Sequence, residues 1–239
     1  MSNYDSFNDI VLDVLDRMDE NTDGTSDWDA AIRRAIVRAH HHLHAVQPWW
    51  WALADPPGAF NTVAPITNRT LTVAAAGIAV AGTLSSSIAT SIAGYKVRPG
   101  GKDYYFRVTA HTAGAAAITI DAAPEALAAG TTTTIFQEEG NLAADLGLFQ
   151  DGLWTSDGQF IELTDQEFMK REYPDPPDGA WPAKYFCRLG KRKVRFSTYP
   201  TEVDRVEYAY YKTPADPSGA TDLVIDQNFR WLLSDGGLY

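Results

Sequence analysis

The hydrophobic period of this chain changes partway along, and that change limits the folds open to it. Phe7, Ile10, Val11, Val14, Leu15 and Met18 recur at three- and four-residue intervals, which places them on one face of a helix. Ser6 with Asp9 predicts a capping box at its start. A polar loop, Asp19 to Ser26, follows. A second helix is predicted from near Ser26, with Asp29 three residues on and an apolar face of Trp28, Ile32, Ala35, Ile36, Ala39, Leu43 and Val46. Pro48 limits it. From Asn61 to about Leu142 the spacing shortens to alternation, and Ala, Gly, Thr and Ser dominate. Thr70–Val73, Tyr95–Arg98, Tyr104–Val108 and Ala117–Asp121 each read as a strand, with Pro99 to Lys102 as a turn. Short strands at this spacing predict a small barrel or sandwich.

Beyond Leu142 the chain is mixed. Thr164 with Glu167 predicts the cap of a short helix reaching about Arg171, and Tyr173 to Gly179 reads as a stiff, proline-rich linker. A hairpin follows with Gly190 at its turn. Tyr185, Cys187 and Leu189 are expected on one face of its first strand, and Val194 and Phe196 on one face of its second. Val206, Tyr208 and Tyr210 are expected to share a face of a further strand. Phe229, Trp231, Leu232 and Leu233 predict a short apolar helix able to pack on the N-terminal pair. The expected class is α+β: an N-terminal helical hairpin completed by a C-terminal helix, an antiparallel β region, and an inserted small β-barrel or sandwich. The expected divisions are residues 1–58, 59–142 and 143–239.

Charge narrows the function classes. The formal net charge is −11, and residues 1–30 hold nine acidic side chains against one basic residue, Arg17. Such acidity argues against a protein whose main task is gripping nucleic acid, because phosphate affinity comes from positive faces. A surface that DNA slides past remains compatible. The lone Cys187 excludes an intramolecular disulfide and a zinc cluster. The acidic N-terminus is not expected to act as a secretory signal. The uncharged run Thr70–Tyr95 is long enough to span a bilayer, but its Ala, Gly, Ser and Thr drive insertion weakly, so strands are expected. Asn68-Arg69-Thr70 matches a glycosylation acceptor, which has no meaning in a cytoplasmic protein.

Four clusters invite a functional reading. Asp19 to Gly24 matches the first half of an EF-hand loop, with Asp27 at position nine, but Ala30 occupies the position of the closing bidentate Glu. A polar turn is therefore expected rather than a calcium site. His40 and His44 share a helix face beside His41 and His42, a pair able to touch a metal. No HExxH pattern accompanies them, and a half-exposed neutral face or a pH-sensitive subunit contact accounts for them too. Trp49, Trp50 and Trp51 cannot all enter one core from a single turn, so at least one ring is expected at a surface or interface. Arg188, Lys191, Arg192, Lys193 and Arg195 crowd one hairpin, which suits DNA, an acidic partner or plain solvation. No nucleophile elbow, phosphate loop or dinucleotide glycine pattern occurs.

The order of the C-terminal segments carries a resemblance. W-P-A-K-Y from Trp181, then F-C-R-L-G-K-R-K-V-R-F-S-T-Y-P, V-E-Y-A-Y-Y-K-T-P and V-I-D-Q-N-F-R-W-L-L resemble the C-terminal part of the head-to-tail adaptor (connector) ring proteins of tailed bacteriophages. Ala35, Ala39 and Leu43 running into W-W-W are similar to their helical pair. G-Y-K-V-R-P-G-G-K-D-Y-Y-F-R-V-T-A is similar to the β insertion many of them carry, and L-A-A-D-L-G-L to the segment re-entering the main fold. The resemblance implies a virion structural protein of the neck, present in the host cytoplasm during assembly. It implies a ring of about twelve copies, joining the portal protein to a tail or nozzle protein and lining part of the DNA exit channel. No enzyme activity, cofactor, metal or membrane partner is implied. Its interface candidates here are Trp49, Trp50, Trp51, Arg188, Lys191, Arg192, Lys193, Arg195 and Trp231. Another virion component (tail completion or capsid decoration) and a metal-dependent enzyme using the histidines are the alternative classes.

Overall fold

The computed structural model describes residues 4, 6–18, 27–46, 49–173, 181–217, 225 and 229–237. In chain order, two helices come first, α1 (Phe7–Arg17) and α2 (Asp27–Val46), then a 3-10 turn at Trp50–Ala52. Strand β1 (Gly58–Asn61) precedes six strands of a barrel: β2 (Ile66–Val73), β3 (Gly77–Leu84), β4 (Lys96–Pro99), β5 (Phe106–His111), β6 (Ala117–Ala123) and β7 (Leu127–Phe136). Then follow β8 (Glu139–Asn141), β9 (Leu146–Phe149), β10 (Leu153–Trp154), β11 (Phe160–Thr164), α3 (Gln166–Glu172), β12 (Tyr185–Arg188), β13 (Lys193–Phe196), β14 (Arg205–Tyr208), β15 (Tyr210–Lys212) and α4 (Trp231–Gly237). The class is mixed α+β. The chain forms two compact units: Met1–Gly58 with Ala144–Gln150 and Ala209–Tyr239, and Ala59–Ala143 with Asp151–Tyr208.

The first unit is helical. The capping box forms as expected: Ser6 Oγ accepts from the Asp9 amide at 3.3 Å, and an Asp9 carboxylate oxygen accepts from the Ser6 amide at 2.7 Å. Phe7, Ile10, Val11, Val14 and Leu15 of α1 share one core with Ile32 and Ile36 of α2, with Leu233 of α4, and with Ile225 ahead of that helix. Each fully buried aliphatic side chain there is worth about 1.5–3 kcal/mol of transfer free energy. Two expectations fail at the ends of the stripes. Met18 is exposed because it closes the last turn of α1 as a cap, and Val46 is 62% exposed where α2 runs out. Ser26, Pro48 and the loop Asp19–Ser26 lie outside what the structure describes, as does the side chain of Trp28. Strands β9 and β15 pair antiparallel in this unit, and Leu53 bridges Tyr211 on the other side of β15.

In the second unit, six strands close a barrel in the order β2-β3-β6-β5-β4-β7. Closure removes the free edges that an Ala- and Thr-rich sheet would otherwise expose. Its core is Leu71, Val73, Leu84, Val97, Phe106, Val108, Ile118, Ile120 and Ile135, joined by Ile88 and Ile92 from the β3–β4 connection. The predicted strand at Tyr104 begins two residues later, at Phe106, while Tyr104 packs against the core from the preceding turn. Strands β3 and β7 carry too few large residues for the sequence to mark them. Gly82 shows why β3 is small-residue: a Cβ there would stand 2.9 Å from Leu71 Cδ1 and 3.2 Å from Ile118 Cγ1.

The same unit holds a seven-stranded sheet ordered β1-β14-β10-β11-β12-β13-β8. It is not wholly antiparallel: β11 and β12 run parallel, with α3 in the connection between them. Asp165, rather than Thr164, caps α3, its carboxylate accepting from the Phe168 amide at 2.6 Å while Thr164 still belongs to β11. The β12–β13 hairpin turns at Gly190, whose φ of +73° favours glycine. Strand β12 is covered on both faces, not only on the one that carries Tyr185 and Cys187. Phe186 and Cys187, which point to opposite faces, are both buried, whereas Tyr185 is half-buried against Phe168 of α3. The predicted strand Val206–Tyr210 is divided at Ala209: Tyr208 ends β14 in this unit, and Tyr210 opens β15 in the other.

Candidate functional site

In the helical unit, the C-terminal part of α2 delivers histidines and then tryptophans. Residues 40 and 44 lie four apart, and the rings of His40 and His44 meet edge to face at 4.8 Å. His40 is 1% exposed, and none of the four ring nitrogens of the pair has a hydrogen-bond partner among the described residues. Burial, with His44 and His41 close by, pushes the His40 pKa down to about 4, and burial lowers that of His44. His41 instead turns to Asp216, with Nε2 at 2.6 Å from its carboxylate. His42 is exposed. Among the described residues no three metal-ligating side chains are grouped to hold a metal ion. The EF-hand-like loop lies outside those residues.

The three tryptophans separate as steric reasoning requires. Trp49 and Trp51 stack at 4.5 Å, both rings also meet Phe229, and Trp49 Nε1 donates to the Leu43 carbonyl at 2.6 Å. Trp50 points away, 66% exposed, edge-on to Trp51. The 3-10 turn at Trp50–Ala52 makes this possible, because three residues per turn send neighbouring side chains in different directions. Trp231 on α4 is 45% exposed while Leu233, two residues on, is fully buried. A cavity of about 390 Å3 opens between His41, His44, Trp49, Leu148 and Tyr211.

In the second unit the five hairpin cations do not form one free patch. Arg195 reaches inward, its Nε 3.1 Å from the buried Glu138 carboxylate and its Nη2 donating to the Tyr173 carbonyl at 2.9 Å. Lys193 pairs with Glu139 at 3.0 Å, and Arg188 donates to the Lys191 carbonyl across the turn. Lys191 and Arg192 at the tip are exposed and make no ion pair among the described residues. Among the described residues the hairpin therefore offers two exposed side-chain charges without an ion pair or hydrogen bond, Lys191 and Arg192, not five. Glu138 also accepts from Lys96 Nζ, a cluster the sequence did not reveal because its members stand far apart in the chain. Sequence reading also passed over Arg34 and Arg38, whose i,i+4 spacing on α2 was the available signal.

Protein-family models give no match to this chain, and no curated protein matches it. Among the described residues no helix is long and apolar enough to cross a membrane.

Proposed function

We propose that this chain is a virion structural protein, a head-to-tail adaptor subunit that assembles into a ring between portal and tail. The observation that carries the reading is the aromatic step after α2. Trp49 and Trp51 are anchored by stacking, and they hold Trp50 outward at 66% exposure. A large, rigid, exposed ring on an ordered turn is what an interface anchor requires. Trp231 adds a second exposed ring on α4 of the same unit. Support also comes from the order of elements, in which a closed barrel interrupts a helical unit completed by the C-terminal helix. A net charge of −11 suits a channel that DNA traverses without adhering. In this reading the protein performs no catalysis.

The test is location and stoichiometry in purified particles. Mass spectrometry and image averaging of particle necks are expected to find the chain as a ring adjoining the portal. Recovery of the protein from infected-cell lysate alone, never from purified particles, would overturn the reading.

A further inference from the structure

Helix α2 buries Ile32, Ile36 and His40 and exposes Arg34 and Arg38. The two arginines are one turn apart, so their guanidinium groups stand on the same face. Neither makes a hydrogen bond or ion pair among the described residues. They rim a groove of about 500 Å3 whose apolar wall is Phe7, Val37 and Pro217. Arg33, also on the groove, donates to Asn8 Oδ1 at 3.0 Å and lies over the Phe7 ring. Asp216 is the one carboxylate lining the groove among the described residues, and it is engaged by His41 at 2.6 Å. In a chain of net charge −11, two guanidinium groups that make no ion pair among the described residues, beside an apolar wall, select a partner of stated chemistry. That partner is a segment carrying a carboxylate next to an exposed apolar side chain.

Helix α1 of the same unit has that chemistry on its outer face. Leu12 is 48% exposed, and Asp16, one turn further on, is exposed beside it. Arg17, the one cation of α1, is already shared between Asp13 at 2.9 Å and Asp235 at 3.1 Å. Asp16 makes no ion pair among the described residues. The unit thus presents one basic and one acidic face, each with apolar surface at its side.

We propose that the basic face of α2 docks the acidic outer face of α1 from a second copy of this chain, with Arg34 and Arg38 facing Asp16 and Leu12 entering the groove beside Phe7 and Val37. Unlike faces joined head to tail make a heterologous contact, and such contacts close into rings when the rotation between copies permits. The inference rests on the ring reading above and names its side-to-side contact. Charge complementarity of this kind sets register and rejects like-charged approach.

The experiment compares the full-length protein with Arg34→Glu/Arg38→Glu and with Asp16→Arg by sedimentation velocity and mass photometry. Each variant is expected to weaken self-association about tenfold or more, because each places like charges face to face. An equimolar mixture of the two variants is expected to restore assembly, since every contact then joins opposite signs again. Higher ionic strength is expected to weaken the wild type's association. Circular dichroism checks that helix content is unchanged, and Arg34→Gln/Arg38→Gln replaces the reversed pair if it is not. Variants that assemble like the wild type, a mixture that fails to restore assembly, or a wild type that stays monomeric would each overturn the contact. So would duplex DNA that binds the wild type and not the arginine variant, with self-association unchanged; the face would then belong to phosphate. Particle location is scored separately. Charge-independent rings in the neck remove this contact and leave the adaptor reading, whereas charge-dependent rings absent from particles do the reverse.

Discussion

Glu138 in the second unit and His40 in the helical unit are both almost wholly buried, at 4% and 1% exposure, and their surroundings differ sharply. Glu138 accepts from Lys96 of β4 and lies against Arg195 of β13, so barrel and sheet each bring it a cation. Those two side chains are themselves only 15% and 14% exposed. His40 meets no donor, acceptor or carboxylate within hydrogen-bond reach among the described residues; its near neighbours are the rings of His41 and His44. A charge can be held in a low-dielectric interior when opposite charge is held with it, while an unpartnered group stays neutral there. One region therefore depends on keeping a charge, and the other on refusing one.

The largest effect is expected from breaking the compensated cluster. Glu138→Ala leaves Lys96 and Arg195 buried without their carboxylate, and breaking such a group costs about 3–5 kcal/mol. Urea unfolding of the variant measures it. Adding Lys96→Met and Arg195→Met to the same chain is expected to recover most of the loss, because apolar replacement of a whole buried ion group is often neutral or better. A loss below about 1 kcal/mol for Glu138→Ala, typical of an exposed pair, would show that the cluster is solvated and that the contrast with His40 is false.

Acid is the probe for the other side. The His40 pKa falls from its ordinary 6.5 to about 4 in the folded chain, chiefly through burial. Between those values the unfolded chain takes up a proton that the folded chain does not, so stability rises with pH across that window. The contribution is full above pH 6.5 and is lost as pH falls toward 4, by about 3 kcal/mol in total. His44 shifts in the same direction and adds to it. Melting temperatures of wild type and His40→Leu, taken across this window, isolate the term because the carboxylates are common to both. Parallel curves would mean that His40 is protonated as easily in the folded chain as outside it.

The Glu138 cluster was invisible in the sequence, whereas the His40–His44 pair, four residues apart on one helix, was legible, as was the frame around both. The α1 capping box and the apolar stripe from Phe7 to Leu15 were legible because helices are specified within a few residues. The hairpin turn at Gly190 was legible because a positive φ demands a particular residue. Strands β3 and β7 escaped because, in a closed barrel, Gly82 and the run of threonines from Thr131 to Thr134 answer to space left by facing strands. Lys96, Glu138 and Arg195 come together only through register, which spacing along the chain does not encode. The sequence placed five basic residues on the β12–β13 hairpin but could not tell which ones turn inward. That Trp49, Trp50 and Trp51 would part company followed from sterics; which ring would stand outside did not.

That division of the tryptophans gives the finest comparison, between an aromatic held inside a unit and one held out from it. Trp49 is half-buried, stacked on Trp51 and hydrogen-bonded to the Leu43 carbonyl. Trp49→Ala is expected to cost about 2 kcal/mol of stability, below the value for a fully buried ring because part of its surface already meets water. Trp50 has 66% of its surface exposed and contributes one edge contact to Trp51. Trp50→Ala is expected to change stability by less than about 0.5 kcal/mol, the range of ordinary surface substitutions. In the proposed ring its effect is expected in association instead, where a truncated aromatic anchor costs about 2 kcal/mol or more. Parallel measurements of urea unfolding and of assembly separate the two residues. If Trp50→Ala leaves assembly unchanged, the exposed ring is solvated surface and the aromatic step has no partner to hold. If it destabilises the chain as much as Trp49→Ala, the ring spends its time packed inward, and the distinction between anchor and support disappears.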